Sequence, residues 1–373
     1  MNKMNTQNLI LLVVATLAIS AHSSKIWTLE NHHEYTIEHY MVQFNRVYAD
    51  ENEFLMRKTL FDENMKKIND INNDKTMTWK AGVNHMTDLL PEELQAKRGY
   101  KLITPKSSKT ATPFRNLRSK SFDDFPKSVD WREKGVVNPV KNQGGCGSCW
   151  AFATISVLES HAAINSGKLL NLSEQQVVDC TPNPHHCGGT GGCEGADAPL
   201  GFEYLRATGG ASLTADYPYH QRDETCKDQD VEKVVSLDGF HLIPDNDPYA
   251  LTEALVNRGP ISVTVDASNW HLYHSGILNG FQGAETNHGV VLVGYGEDAD
   301  GKYWIIRNSW GPAYGEDGYI RVHREDSPLD VVCYVNNNPA VGNACDNGPT
   351  QLYICGTSGL YYGSTFPVGA RAN

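Results

Sequence analysis

Nine cysteines, none before position 146 and all within residues 146–355, divide this 373-residue chain more sharply than any other feature. That number is low for a small disulfide scaffold and high for an enzyme kept reduced in the cytosol, so it points to an oxidising compartment. The count is odd, so at least one thiol lacks an intrachain partner. Charge divides at nearly the same place. Residues 1–124 carry 17 Lys and Arg against 15 Asp and Glu, whereas residues 125–373 carry 15 against 29. A net charge of −12 excludes general nucleic-acid binding, which needs a basic face to displace counterions from phosphates.

Residues 9–19 form an unbroken apolar run behind Lys3, followed by the small residues of Ser20-Ala21-His22-Ser23. The run falls short of the roughly 20 residues that span a bilayer, and no later run is longer. It is expected to be a secretory signal peptide, which licenses disulfides. Between Glu93 and Asp123 lie eight basic residues, from Lys97 and Arg98 to Lys120, and no acidic one. Rich in Ser, Thr and Pro, this stretch is expected to be an extended linker rather than a packed element. The expected division is a signal peptide over 1–23, an accessory domain over 24–124 and the cysteine-bearing domain over 125–373.

The accessory domain is helical by pattern. From Glu53 to Asn72 apolar residues recur at three-to-four-residue spacing. Glu53, Arg57, Phe61, Asn64, Ile68 and Asn72 share one broad face, with Glu53 and Arg57 in the favourable i,i+4 order. These six positions fit the E-x3-R-x3-F-x2-N-x3-I-x3-N pattern, and the segment resembles the inhibitory propeptide of cathepsin L-like proteases. Gly82, Asn84 and Asp88 resemble that family's G-x-N-x-F-x-D segment, with Met86 in place of the Phe.

The acidic domain opens with Asp130-Trp131-Arg132, then Gln143-Gly144-Gly145-Cys146-Gly147-Ser148-Cys149-Trp150 ahead of an apolar helix expected to about Asn165. A free thiol is a weak nucleophile below its ordinary pKa of about 8.5, and a helix N-terminus beside an imidazolium can lower that value. Cys149 stands where the helix should begin and is the candidate unpaired sulfur. A thiolate needs a histidine partner that can protonate the leaving amine. Asn287-His288-Gly289 lies well downstream of the cysteine and opens a strand-like run. Asn308, farther on, is placed to orient a ring, and both separations suit a nucleophile whose partners are distant in sequence and adjacent in the fold.

With its Cys-Gly-Ser-Cys-Trp core, the domain resembles the papain-like cysteine proteases, cathepsin L-like branch. The resemblance implies an α+β fold of two subdomains, a helical left part carrying Cys149 and a β-barrel-like right part carrying His288 and Asn308, preceded by the helical propeptide. It implies Gln143 and the Cys149 N–H as oxyanion donors, Trp310 as the cover of the His–Asn hydrogen bond, and bridges Cys146–Cys193 and Cys180–Cys226. Gly195, Ala196, Ala198, Trp310 and Leu360 are the implied substrate contacts, with an apolar residue preferred beside Ala198 and Leu360.

The chain departs from the family on the right, where no cysteine precedes His288 nearby. Instead there are Cys187, and Cys333 and Cys345 in an inserted stretch of about 326–350, before Cys355; these four allow three pairings. His185-His186-Cys187 raises a zinc site with Cys193, for which no other ligand is in register, and an occluding loop of the cathepsin B kind, from which its position differs. Asn171-Leu172-Ser173 is a glycosylation sequon whose serine also suits a helix cap.

The expected protein is thus a cysteine endopeptidase made as an inactive zymogen, working by acyl transfer without metal or organic cofactor. Its partners would be protein and peptide substrates and its own propeptide, with no nucleic acid, no membrane span and a monomeric state. Its compartment would be lysosomal, phagosome-like or extracellular, and acidification would release the latch by weakening attraction between the basic connector and the acidic domain. The alternatives are an exopeptidase of the same family, a catalytically silent binding protein on the same scaffold, and an N-terminal domain acting as a free inhibitor.

Overall fold

A computed structural model describes residues 34–99, 122–280, 282–342 and 344–373. The apolar run 9–19 and most of the basic connector lie outside the described residues. In chain order the elements are α1 (Ile37–Gln43), α2 (Glu51–Asn73), β1 (Trp79–Ala81), α3 (Pro91–Ala96) and β2 (Val129–Asp130). Next come α4 (Cys149–Ser166), α5 (Glu174–Cys180), α6 (Ala198–Thr208), β3 (Val235–Ser236), β4 (Gly239–Leu242) and α7 (Pro248–Arg258). Strands β5 (Ile261–Val265), β6 (Tyr273–Leu278), β7 (His288–Asp298), β8 (Gly301–Arg307) and β9 (Tyr319–His323) build most of the sheet. The chain closes with β10 (Cys333–Asn336), β11 (Leu352–Cys355), β12 (Thr365–Val368) and β13 (Arg371–Ala372).

Helix α4 is buried on every side over 149–163, polar Glu159 and His161 included, so it is a core helix rather than a surface one. It ends at Gly167, whose left-handed φ of 71° a β-branched residue could not adopt cheaply, with the Gly167 N–H on the Ala163 carbonyl. The Ser173 hydroxyl accepts from the Gln176 N–H and starts α5, and Asp197 caps α6 ahead of a proline in its first turn. Lys141 ties the helices together by donating to the buried carboxylates of Glu159 and Glu174 at 3.0 and 2.6 Å.

The main sheet runs β1-β6-β9-β8-β7-β5-β12-β4, with β2 added on β7, an open path rather than a closed ring. Its first strand comes from the accessory domain: β1 pairs antiparallel with β6, Trp79 opposite Gly276, joining segments far apart in the chain. The accessory domain is therefore a guest strand plus helices laid on the sheet edge. Its core is Tyr40, Phe61, Ile68 and Met86, each at most 1% exposed.

The polar motif positions are engaged as well. The Asp88 carboxylate accepts from the Tyr40 hydroxyl at 2.7 Å and from Arg46 and the Tyr48 hydroxyl at 3.0 Å. Arg57 bridges Glu53 and Glu93 and donates to the Asp88 carbonyl. The Asn64 amide donates to the Thr87 carbonyl, and Asn72 exchanges two hydrogen bonds of 2.9 Å with Ala81. Asn84 donates to the His271 carbonyl at 2.7 Å, and the Gly82 N–H donates to the Leu272 carbonyl, joining this segment to the acidic domain.

The cysteines resolve into four bridges: Cys146–Cys193, Cys180–Cys226, Cys187–Cys345 and Cys333–Cys355. Cys149 is the free one, and it is buried. Cys187 and Cys193 are both consumed by disulfides, which leaves no thiolate pair for zinc there.

Candidate active site

Strand register brings the candidate base and its partner together. In the β7–β8 hairpin Val291 lies opposite Arg307 and Leu292 opposite Ile306. His288, just before Val291, and Asn308, directly after Arg307, therefore both leave the hairpin at its open end. The His288 Nε2 lies 2.8 Å from the Asn308 Oδ1, which also accepts from the Ser309 N–H. The Trp310 ring stacks on the imidazole at 4.8 Å and 29°, shielding that hydrogen bond. With Nε2 engaged as donor, Nδ1 is left as the acceptor, buried and without a hydrogen-bond partner among the described residues.

Cys149 is the first residue of α4, and the Gly289 N–H reaches its Sγ at 3.4 Å. A β-carbon on Gly289 would sit 3.3 Å from the Trp150 backbone, so glycine lets the strand carrying His288 approach the helix start. Gln143 is fully buried. Its side-chain oxygen accepts from the Ser309 hydroxyl at 2.6 Å, and its Nε2 donates to the Cys146 carbonyl. Tyr219 adds a brace that the sequence did not reveal, donating to the Gln143 carbonyl at 2.8 Å and accepting from the Ser148 hydroxyl at 2.6 Å.

The cleft is occupied by the chain's own residues 97–99. The Lys97 carbonyl accepts from the Gln143 Nε2 at 2.9 Å and from the Trp310 Nε1 at 3.2 Å, and the Lys97 ammonium donates to the Gly144 carbonyl. The Cys149 thiol meets the Arg98 carbonyl at 3.5 Å. A β-carbon on Gly195, itself at φ 92°, would collide with the Gly99 carbonyl oxygen, so only glycine leaves the segment room. Lys97 and Arg98 thus depart from the expected linker. They are packed elements, and a purely compositional reading could not separate them from the basic residues that follow.

Burial sets the protonation of the covered pair. It pushes the Cys149 thiol up to about 11 and the His288 imidazole down to about 4, where nearby Arg98 and Lys97 also disfavour a cation. Under this cover the pair is neutral thiol and neutral imidazole rather than thiolate and imidazolium. Lys97 itself is lowered to about 8 by burial and the Arg46 charge.

Of the other expected substrate contacts, Gly195, Ala196, Ala198 and Leu360 are all buried, the last 1% exposed. Gly195 abuts the covering segment directly. Between Ala196 and Ala198 stands Asp197, raised to about 7 by burial and by the Asp245 charge, so this side of the cleft carries a carboxyl as well as apolar groups.

A family model described as papain family cysteine protease matches residues 125–342, and one described as cathepsin propeptide inhibitor domain matches residues 38–94. The chain is 38% identical over 303 residues to the senescence-specific cysteine protease SAG12 of Arabidopsis thaliana, covering 79% of this chain and 85% of that protein. It is 38% identical to cathepsin S of Mus musculus, covering 75% and 82%. Among solved structures a recombinant stem bromelain precursor superposes with a TM-score of 0.70 at 33% identity, covering 89% of this chain and 97% of that one.

Proposed function

Because the chain belongs to the papain family of cysteine proteases and carries a cathepsin-type inhibitory propeptide, we propose that it is a zymogen whose mature part hydrolyses peptide bonds through Cys149, His288 and Asn308. The observation that carries this is the His288–Asn308 hydrogen bond of 2.8 Å at the hairpin end that also delivers the Gly289 N–H to the Cys149 sulfur. Once the cleft is emptied, water reaches the pair and the desolvation that holds both groups neutral is relieved. The Cys149 proton then passes to the His288 Nδ1, and the helix N-terminus favours the thiolate.

The thiolate attacks the substrate carbonyl, and the oxyanion is met by the Gln143 Nε2 and the Cys149 N–H. The imidazolium protonates the leaving amine, and the amine departs from a Cys149 thioester. His288 then draws a proton from water, the water attacks the thioester, and the acid product and free thiol are restored. Asn308 holds the ring throughout, and Trp310 keeps water off their hydrogen bond.

This mechanism orients the cleft. The leaving amine must lie on the His288 and Trp310 side, so the acyl part lies toward Gly147 and Gly195. Residues 97–99 run from Trp310 toward Gly195, the reverse of a substrate, which supports inhibition without self-cleavage at that point. We further assign a signal peptide to 1–23, the inhibitory propeptide to 24–124 and the peptidase to 125–373, acting as a monomeric endopeptidase in an acidic or extracellular compartment of the secretory pathway. Cys149→Ala is expected to fold with all four disulfides and to lose activity by at least about 10⁴-fold. A folded Cys149→Ala protein that still cleaves peptides contradicts the assignment.

A further inference from the structure

The two disulfides without a counterpart in the sequence resemblance build one device. Cys333 and Cys355 lie directly opposite each other in the β10–β11 pair, so they staple the base of a hairpin that extends to the intervening residues. Cys345, near its far end, is bonded to Cys187, which belongs to the loop before Cys193 on the α4 side of the cleft. The same junction is laced by the Gly188 N–H on the Ala344 carbonyl at 3.2 Å and the Asp346 N–H on the His185 carbonyl at 2.8 Å. His186 Nδ1 and the Asp346 carboxylate add a contact of 2.9 Å. Asn183 fixes the loop from beneath, accepting from the Cys187 N–H and donating to the Cys187 and Gly189 carbonyls.

The hairpin also touches the opposite wall. A β-carbon on Gly342 would lie 3.0 Å from the carbonyl oxygen of Thr286, just before His288 in the chain. Gly342 thus stands at the His288 wall, and Ala344 and Cys345 at the Cys149 wall. Their landing point is close to the acyl side of the scissile position. The Gly188 and Gly99 carbonyl oxygens both crowd the same point, the site a Gly195 β-carbon would occupy. A β-carbon on Gly99 would lie 3.0 Å from the Cys149 sulfur, so the crowded point at Gly195 stands within about three extended residues of it, at about 3.3 Å each.

We propose that the hairpin 333–355, tethered through Cys187–Cys345, is an end wall on the acyl side of the cleft that limits how many residues a substrate carries before the scissile bond. This rests on the peptidase reading and narrows its endopeptidase part: cleavage is favoured where about two or three residues precede the bond. The leaving side, lined by Trp310, meets no such bridge among the described residues.

The test uses processed enzyme and peptides with a constant leaving part and one to six residues on the acyl side. Expected is a maximum in kcat/KM at two or three residues and a fall of at least tenfold by six. In the Cys187→Ser/Cys345→Ser double variant the fall should shrink below threefold, with Cys149 alkylation confirming an intact site. A wild-type profile that stays level or rises from two to six residues overturns the proposal, and so does a steep fall unchanged in the folded double variant. If that variant does not fold, the wild-type profile decides alone. Absence of cleavage at every length removes the peptidase reading, and the wall with it.

Discussion

Two segments lie across the cleft of this molecule, and they are held by different physics. Residues 97–99 are held by hydrogen bonds from Gln143 and Trp310 and by the ion-pair scaffold of the propeptide behind them. The hairpin 333–355 is held by a disulfide at its base and another at its far end. The first cover sits on the reacting atoms and depends on charge and burial, so proteolysis or a change of pH can remove it. The second stands beside them on disulfides that acid does not break. One cleft is thus covered at its centre by a removable segment and framed covalently at one end.

The largest expected departure from this contrast comes from Gln143, which holds the covering segment and is the proposed oxyanion donor. Gln143→Ala should lower kcat of the processed enzyme by about 10²–10³-fold, the usual cost of losing an oxyanion donor, and should loosen the covering segment in the zymogen. A variant with normal kcat would separate Gln143 from the chemistry and leave it as a propeptide contact only.

A smaller effect is expected at Arg57, remote from Cys149 but central to the first cover. Its guanidinium is only 11% exposed between Glu53 and Glu93, and Arg57→Ala leaves those carboxylates without their partner. Thiol labelling of the zymogen should accelerate by about tenfold, corresponding to the loss of a partly exposed, bridged ion pair. An unchanged rate would mean the β1–β6 pairing alone holds the propeptide down.

The smallest effect is the pH dependence of the first cover. His85, in the propeptide, is held down to about 4 by burial and the charges of Lys97 and Arg46, and His288 is held at about 4 by burial. The ordinary value is 6.5, so between pH 6.5 and 4 the opened form binds more protons than the closed one. The cover therefore loses stability as pH falls through that window. Asp197, raised to about 7, acts in the opposite sense and reduces the net effect. Zymogen opening at pH 4.5 should exceed that at pH 6.5 by about tenfold. Equal rates would rule out acid release of the cover.

The contrast also explains what the sequence could and could not reveal. Local signals survive translation into structure. The helix starting at Cys149, the Ser173 cap and the strand opening at His288 stand where pattern and capping place them, because each is decided by neighbours in the chain. The pairing of β1 with β6 joins segments far apart in sequence and is carried by backbone groups, which leave no side-chain pattern. Lys97, Arg98 and Gly99 were hidden because a basic run reads alike whether solvated or buried. Cys187–Cys345, with a sequence separation of 158, depended on which loops face each other across a cleft, and only the assembled fold decides that.

The central claim is that Cys149 is the nucleophile and that residues 97–99 keep it latent. Its most direct measurement is the labelling rate of Cys149 by a thiol-reactive epoxide in the intact zymogen and in the processed enzyme, read by mass spectrometry at that residue. The account predicts stoichiometric modification of Cys149 in the processed enzyme, with parallel loss of peptidase activity, and labelling at least a hundredfold slower in the zymogen at neutral pH. Equal labelling of the two forms, or inactivation without modification of Cys149, would contradict it.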